Sequence, residues 1–344
     1  VEQDNALEDA TASTVRTALG YKTGDYKGFS AFVEMEDVHA LGDEEYNLPA
    51  DNPKQYSVVA DPLGTELNQS YLQYVNEGFT ARYGRQQILL DNQRFVGNVG
   101  WRQNQQTYDG VLLSDKSVEN FEVTLAHITN VNGILGEDTN SDHVLFNAGY
   151  TGLALGKLSV YYYGLENQNA PNASTETSGV RLSGGTGIFL YSFEFANQAD
   201  HADSTADIDA DYTLVEIGAK FDNLTVKAGA EVLGAGGEDG FETPLATKHA
   251  FNGWADIFVD TPAAGLEDTY VSIGGNAGGY QLQAVHHTFT PDTGGPDYGT
   301  EVDLLISKKF SSNYTAGIKL ARYDADSFAV DTDKAWLFLQ ASFN

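Results

Sequence analysis

Four arginines lie close together in one short stretch of the chain, RYGRQQILLDNQRFVGNVGWRQN (residues 82–104). They are Arg82, Arg85, Arg94 and Arg102, in a chain with only 19 basic residues against 49 acidic ones. Fixed guanidinium charges that line a narrow, water-filled passage attract anions and orient them. In the alternative interpretation, some of these arginines pair with carboxylates such as Glu34 or Glu122 and only brace the fold.

The composition argues against several classes of protein. The 344 residues carry a formal net charge of −30, which does not suit a nucleic-acid partner, because phosphate binding needs clustered Lys and Arg. Aromatic residues make up 12% of the chain and apolar residues 41%, too much for a disordered chain. Without cysteine, a disulfide, a thiolate metal site and a thiolate nucleophile are excluded. No signal peptide precedes Val1, so we expect a cytoplasmic or an already processed chain.

The elements that must position the arginines are strands, because apolar and polar residues alternate along most of the chain. In VEIGAKF (residues 215–221), Val215, Ile217 and Phe221 fall on one face, while Glu216 and Lys220 fall on the other. A two-residue turn follows, and the alternation resumes at residue 224, which predicts a hairpin with one apolar and one polar face. No segment of comparable length shows helical periodicity.

Three details favour a transmembrane β-barrel over a soluble β-sandwich. The polar faces contain Gly, Ser, Thr and isolated charges of both signs, which suits a crowded, wet lumen. Apolar faces end in aromatic residues beside the turns, which suits a girdle at the membrane interface. Short connections alternate with long acidic ones, which is typical of periplasmic turns and outer loops. The aromatic residues at these ends include Phe221, Tyr280, Phe310 and Tyr314.

We count about seventeen strands, from residues 11–22 to residues 333–343. Bacterial barrels of one chain have an even number of strands, so we expect about 18, with a first strand missing from this chain. Residues 11–22 and 333–343 should then leave a gap of one strand and should not pair directly. The prediction is a single all-β domain over residues 1–344, an antiparallel up-and-down barrel. It has an inward loop at about 91–104 and a long outer loop at about 234–266.

The sequence resembles the alginate export family of outer-membrane barrels and its relatives among substrate-specific porins. The resemblance rests on GRQ (84–86), DNQRFVGNVGWRQN (91–104), QTYDG (106–110) and KHAFNGWADIFVDTPAAGLEDTYV (248–271). It implies a channel of about 18 strands in the bacterial outer membrane, narrowed by inward loops and by an arginine-rich constriction. By this resemblance, the candidates for the constriction are Arg82, Arg85, Arg94 and Arg102. The polar faces of the predicted strands add Arg16, Lys227, Lys319, Glu34 and Glu122 to the predicted pore lining.

Two departures from the family pattern bear on the solute. The predicted lumen mixes cations with acids, and the outer loops are strongly acidic, as in GDEEYNLPAD (42–51) and QADHADSTADIDAD (198–211). An acidic mouth repels a polyanion. We therefore expect passive diffusion of small hydrophilic solutes, anions among them, or of oligosaccharides, with export of an acidic polysaccharide such as alginate as the alternative.

Other candidate sites are weaker. Phe251, Trp254 and Phe258 could form a small apolar core in a loop that caps or narrows the mouth, or could simply pack on neighbouring segments. The acidic loops, with aspartates at 207, 209 and 211, could loosely hold Ca²⁺ or be bridged by divalent cations to lipopolysaccharide, but solvated loops are the favoured interpretation. Adjacent strand residues point to opposite faces, so His286 and His287 cannot share one metal ion. We expect no cofactor and no metal site.

Two rival classes of protein remain open. A barrel hydrolase would need a serine, a base such as His127 and a polar orienting residue, and the sequence contains no GxSxG motif. A structural anchor or adhesin would have a plugged lumen. We expect a channel, embedded in outer-membrane lipid and lipopolysaccharide; its oligomeric state stays open.

Overall fold

The computed structural model describes residues 1–237 and 239–343, and regular structure in this part of the chain is almost entirely β-strand. Two single turns of 3-10 helix, Pro171–Ala173 and Lys248–Ala250, lie in connections. No helix of the described residues is long and apolar enough to cross a membrane. The predicted all-β fold is confirmed.

Seventeen long strands and three two-residue strands are present in the described residues. Their bounds are Glu2–Gln3 (β1), Thr14–Lys22 (β2), Phe29–Ala40 (β3), Gly64–Asn76 (β4), Phe79–Gln86 (β5), Thr107–Asp115 (β6), Phe121–Asn132 (β7), Asp138–Leu153 (β8), Gly156–Leu165 (β9), Thr175–Thr186 (β10), Phe189–Asp200 (β11), Asp209–Phe221 (β12), Leu224–Leu233 (β13), Ala235–Gly236 (β14), Asp239–Gly240 (β15), Leu266–Ala277 (β16), Tyr280–Thr290 (β17), Gly299–Lys309 (β18), Tyr314–Ala325 (β19) and Thr332–Ala341 (β20).

All the long strands form one antiparallel meander in which each strand pairs with its neighbours along the chain. The two-residue β1 adds an eighteenth strand, because Glu2 and Gln3 pair with Asp333 and Thr332 at the start of β20. Among the described residues, β2 pairs with β3 and makes no pairing with β20. The expectation that these two outer strands do not pair directly is confirmed.

One face of the sheet is apolar and open, as the alternation in the sequence predicts. Leu19 and Leu337 are 78% and 83% exposed, and Phe221, Tyr280, Phe310 and Tyr314 are exposed beside the short turns. The opposite face buries polar side chains, among them Glu36, Asn147 and Asp303. An apolar outer face and a polar inner face are the arrangement of a barrel that meets lipid outside and water inside.

Two long connections lie against the inner face of the sheet. We call residues 87–106, between β5 and β6, the first inward loop, and residues 234–265, between β13 and β16, the second inward loop. Their side chains Phe95, Val96, Phe241 and Leu245 belong to the same buried cluster as Tyr108, Leu145, Tyr212 and Phe289 of the strands. The hydrophobic core therefore lies inside the meander, between the loops and the inner wall.

Candidate functional site

The two inward loops are joined to each other by main-chain hydrogen bonds. Val96 and Leu245 form a parallel β-bridge, and the N–H of Gly97 donates to the carbonyl oxygen of Leu245 at 2.8 Å. Two residues after Leu245, the N–H of Thr247 donates to the carbonyl oxygen of Gln93 at 3.0 Å. The loops therefore act as one hydrogen-bonded unit inside the lumen.

Phe95 fastens this unit to the barrel wall. Its ring lies 5.4 Å from that of Tyr161 and 5.1 Å from that of Tyr212, and it meets Phe241 of the second inward loop at 5.8 Å. All four rings are buried. Aromatic pairs in this distance range are worth about 0.5–1.5 kcal/mol each beyond their buried area. The first inward loop thus crosses the lumen to reach β9 and β12.

Arg94 is buried beneath the loops and does not face open water. Its Nε donates to Glu231 Oε1 at 2.7 Å, and its Nη2 donates to Asn252 Oδ1 at 2.9 Å. Its guanidinium carbon lies 4.9 Å from the centre of the Phe251 ring. The side chain is 2% exposed. Arg94 was predicted to line the pore; the structure corrects this, because the side chain ties both loops to β13.

Wall carboxylates hold the second inward loop through its main chain. Asp303 accepts a hydrogen bond from the N–H of Trp254 at 3.1 Å, and Glu301 accepts one from the N–H of Ala255 at 2.7 Å. The turn that presents these N–H groups needs Gly253, whose φ is +85° and where an added Cβ would lie 2.4 Å from Glu301 Oε2. A left-handed residue without a side chain is required here.

All three tryptophans of the chain surround one lysine. Lys319 Nζ lies 3.7 Å from the ring centre of Trp254, 4.3 Å from that of Trp101 and 5.7 Å from that of Trp336. Trp101 belongs to the first inward loop, Trp254 to the second, and Trp336 to β20. Lys319 was predicted to line the pore, but it is 6% exposed, so its charge holds the two loops against the wall by cation–π attraction.

Asp256 gathers the remaining cations of this region. It accepts hydrogen bonds from Arg102 Nη2 at 2.9 Å and from Lys334 Nζ at 3.4 Å, and its Oδ1 lies 2.7 Å from His249 Nδ1. Burial favours the neutral acid, but His249, Lys334 and Arg102 together hold the pKa of Asp256 below its ordinary value. Arg102, with its side chain 14% exposed, is therefore an internal brace whose charge is offset by Asp256.

Arg82 and Arg85 lie on opposite faces of β5. Arg82 is on the inner face, where its Nε donates to Gln73 Oε1 at 2.7 Å and its guanidinium lies 4.9 Å from the Tyr71 ring centre. Arg85 has the parity of the outward-facing Tyr83, and it forms two hydrogen bonds of 2.9 Å with Asp109. The odd spacing in the sequence indicated this change of face. The prediction that Arg85 lines the pore does not fit this position.

The other predicted lining residues lie on the inner face and mostly in pairs. Arg16 Nε donates to Glu36 at 2.8 Å, and Lys227 Nζ donates to Glu216 at 3.0 Å. Glu34 accepts hydrogen bonds from Asn68 and Gln69, at 2.8 and 3.0 Å. Glu122 pairs with Lys116 at 2.6 Å, at the end of the barrel that has short turns. Their influence on solutes stays a prediction.

Phe251, Trp254 and Phe258 each pack on neighbouring segments, which is one of the two interpretations that the sequence left open. Phe251 covers Arg94, and Trp254 covers Lys319. Phe258 packs on the wall, 4.5 Å from the ring of Phe289, and belongs to the same buried cluster as Trp254. The second inward loop thus lies along the wall inside the barrel.

No group of three or more His, Asp or Glu among the described residues is placed to hold a metal ion. His127 Nε2 lies 2.6 Å from Asp142 Oδ1, and both side chains are half exposed on the outward face of β7 and β8. Loose Ca²⁺ binding by the acidic outer loops stays a prediction.

Sequence reasoning missed Phe95, His249 and Asp256 as organising residues. The KHAFNGWAD segment (248–256) is distinctive, because it combines a histidine, an aspartate and a glycine with aromatic residues over nine positions. That combination was the available signal. Lys319, the partner of His249, and Lys334, a partner of Asp256, come from strands far along the chain. The spacing in the sequence therefore could not predict these contacts.

An antiparallel meander with an apolar outer face and polar loops packed inside it defines a β-barrel of the outer-membrane type. The alginate export family model matches residues 3–243, and the chain belongs to this family. No protein of curated function matches the sequence.

Several solved structures have the same fold. OccAB4 of Acinetobacter baumannii has a TM-score of 0.75 and 16% identity, covering 99% of this chain and 94% of its own. OpdK of Pseudomonas aeruginosa with vanillate gives 0.71 and 13%, covering 95% and 92%. OccK2 (OpdF) of the same organism, in complex with glucuronate, gives 0.70 and 12%, covering 96% and 92%. At these identities the similarity defines the fold.

Proposed function

We propose that the protein is an outer-membrane channel through which small hydrophilic anions, carboxylates in particular, diffuse passively. The inner face of the barrel is polar, and the two inward loops narrow the lumen. The similar structures of OpdK with vanillate and of OccK2 with glucuronate support carboxylates as the class of solute. Both ligands are small and carry one carboxylate.

The observation that carries the proposal is the position of Arg82. It lies half-buried on the inner face, and within the described part of the chain its contacts, Gln73 and Tyr71, are neutral. Arg85, Arg94 and Arg102 each contact a carboxylate. Arg82 therefore contributes an uncompensated positive charge to the lumen, and in a water-filled constriction such a charge attracts anions.

Reconstitution into planar lipid bilayers tests this function. The reversal potential across a gradient of KCl, and then of potassium glucuronate, gives the permeability of the anion relative to potassium. We expect open channels that pass glucuronate and, at neutral pH, prefer it to an organic cation of similar size. Absence of conductance would point to a structural anchor, and a clear preference for cations would contradict the proposal.

Export of an acidic polysaccharide is the second candidate, and membership of the alginate export family favours it. The acidic outer loops and the loop unit that crosses the lumen favour small solutes instead. The same bilayer separates the two candidates. A polyuronate that blocks the current at low concentration from one side only, while monomeric glucuronate passes, would favour the exporter.

A further inference from the structure

An apolar groove of about 670 Å³ lies on the sheet at β13 and β16–β19. It is lined by branched aliphatic residues and by small ones such as Gly275 and Ala284. The lining side chains that the inference uses are Ile273, Leu282, Ala284, Leu304 and Ile306.

These side chains belong to the outward face of the barrel. Ile273, Leu282 and Leu304 are 47%, 40% and 44% exposed, and they lie on three adjacent strands. Each is two residues away from another exposed apolar residue of its own strand, namely Val271, Tyr280 and Ile306. Residues of the alternate positions, such as Asp303 and Ser307, are buried on the inner face. The groove therefore opens towards lipid.

One end of the groove carries a positive charge. Lys308 follows Ile306 at two-residue spacing and pairs directly with Tyr280, so both side chains point outward. Lys308 Nζ lies 4.4 Å from the centre of the Tyr280 ring. Tyr280 begins β17 beside the turn at Gly278 and Gly279, so this end is the one with short turns, which face the periplasm.

The surroundings of Lys308 lack negative charge. Residues 273–284 and 304–320, which form most of the groove and its two short turns, contain no Asp or Glu, in a chain with 49 acidic residues. The positive charge is thus left for a partner outside the protein. A lysine beside an interfacial tyrosine, at the level of the lipid headgroups, meets phosphate in that layer.

We propose that this groove binds an anionic phospholipid of the periplasmic leaflet, with an acyl chain between Ile273, Leu282 and Leu304 and the phosphate at Lys308. The inference is independent of the solute and rests on the barrel lying in the outer membrane. A second copy of the chain is a poorer occupant. A two-fold interface places the same patch on both partners, so it would bring Lys308 towards Lys308 without an acid to separate them.

Native mass spectrometry of the purified protein tests the site with two probes, phosphatidylglycerol and the uncharged phosphatidylcholine. The wild type should retain phosphatidylglycerol in preference to phosphatidylcholine. Lys308→Ala should weaken phosphatidylglycerol binding about fivefold, the change expected when one lysine leaves an anionic lipid surface, and should leave phosphatidylcholine unchanged. Ala284→Trp should fill the groove and lower the retention of both lipids.

Lys309→Ala is the matched control, because Lys309 is the next residue and has the opposite parity. It should retain lipid as the wild type does. Circular dichroism confirms that each variant is folded, and Lys308→Gln replaces Lys308→Ala if the latter is not. The proposal would be overturned if Lys308→Ala and Lys309→Ala lost the same amount of phosphatidylglycerol binding, or if the wild type did not prefer phosphatidylglycerol to phosphatidylcholine. A dimer that Ala284→Trp dissociates would assign the groove to a second copy instead.

Discussion

Lys319 Nζ lies 2.6 Å from His249 Nε2, in the middle of the region where both inward loops meet the wall. A lysine ammonium can only donate, so Nε2 must accept, and the proton of the imidazole is then on Nδ1. Nδ1 lies 2.7 Å from Asp256 Oδ1, to which it donates. The contacts on both sides of the ring therefore require neutral His249.

Acid should release the inward loops through His249. Burial lowers the pKa of His249 to about 4, and the positive charges of Lys319 and Arg102 act in the same direction, while Asp256 opposes them. A histidine in solvent titrates near 6.5. The released loop therefore binds a proton at a higher pH than the attached loop does, and attachment weakens as the pH falls from about 6.5 towards about 4. We expect open-channel current noise to rise over this range in planar bilayers.

His249→Gln is the control for this effect. Its amide can donate to Asp256 and accept from Lys319, but it does not titrate. The open-channel current noise of this variant should stay low from neutral to mildly acid pH. If its noise rises with acid as much as that of the wild type, the sensitivity belongs to another titratable group.

Replacing Arg82 should change selectivity with little effect on stability. Arg82→Gln removes the positive charge that Gln73 and Tyr71 leave uncompensated, while a polar side chain remains on the inner face. A unit charge a few ångströms away contributes about 1 kcal/mol in water, so the anion-to-cation permeability ratio should fall by up to about fivefold. Reversal potentials measure this ratio. Arg322→Gln, an exposed arginine paired with Asp324 on the outward face, should leave it unchanged.

Arg94 should matter for stability and for the width of the lumen. Arg94→Ala leaves Glu231 buried without its cation, which costs about 3–5 kcal/mol. Denaturant unfolding in detergent micelles measures the loss, and single-channel conductance should increase as the loops loosen. The double variant with Glu231→Gln should recover part of the stability. If Arg94→Ala loses no more free energy of unfolding than the double variant does, the result would contradict a stabilising ion pair between Arg94 and Glu231.

Gly253→Ala should detach the second inward loop. A Cβ at this left-handed position meets Glu301, the acceptor for the N–H of Ala255, so we expect a cost of about 1–3 kcal/mol and a larger conductance. Gly279→Ala separates the two causes. Gly279 has a similar φ of +80°, but an added Cβ there meets nothing within 4 Å. Equal effects of the two substitutions would assign the cost to backbone strain alone.

The sequence predicted the strands well because each strand's alternation is local. The lipid face must be apolar whatever the rest of the chain does, so Ile217 and Phe221 identify their strand without knowledge of its neighbours. Counting strands and comparing connection lengths then predicted the meander, and residues 11–22 and 333–343 do not pair, as expected.

The roles of the arginines could not be predicted in the same way. Arg94 and Arg82 are alike in the sequence, and only the positions of Glu231 and Gln73 decide that one is a buried brace and the other a free charge. Glu231 lies far from Arg94 along the chain, and it approaches because two loops fold into the lumen. Alternation contains no information about such contacts.

Main-chain attachment of the second inward loop has a consequence for redesign. The N–H groups of Trp254 and Ala255 are the same in every amino acid except proline, so Glu301 and Asp303 can hold this segment with other side chains at positions 254 and 255, as long as Gly253 is kept. The solute-facing positions of the loop could then be exchanged as a cassette, and a library built there would vary the chemistry of the passage on an unchanged frame.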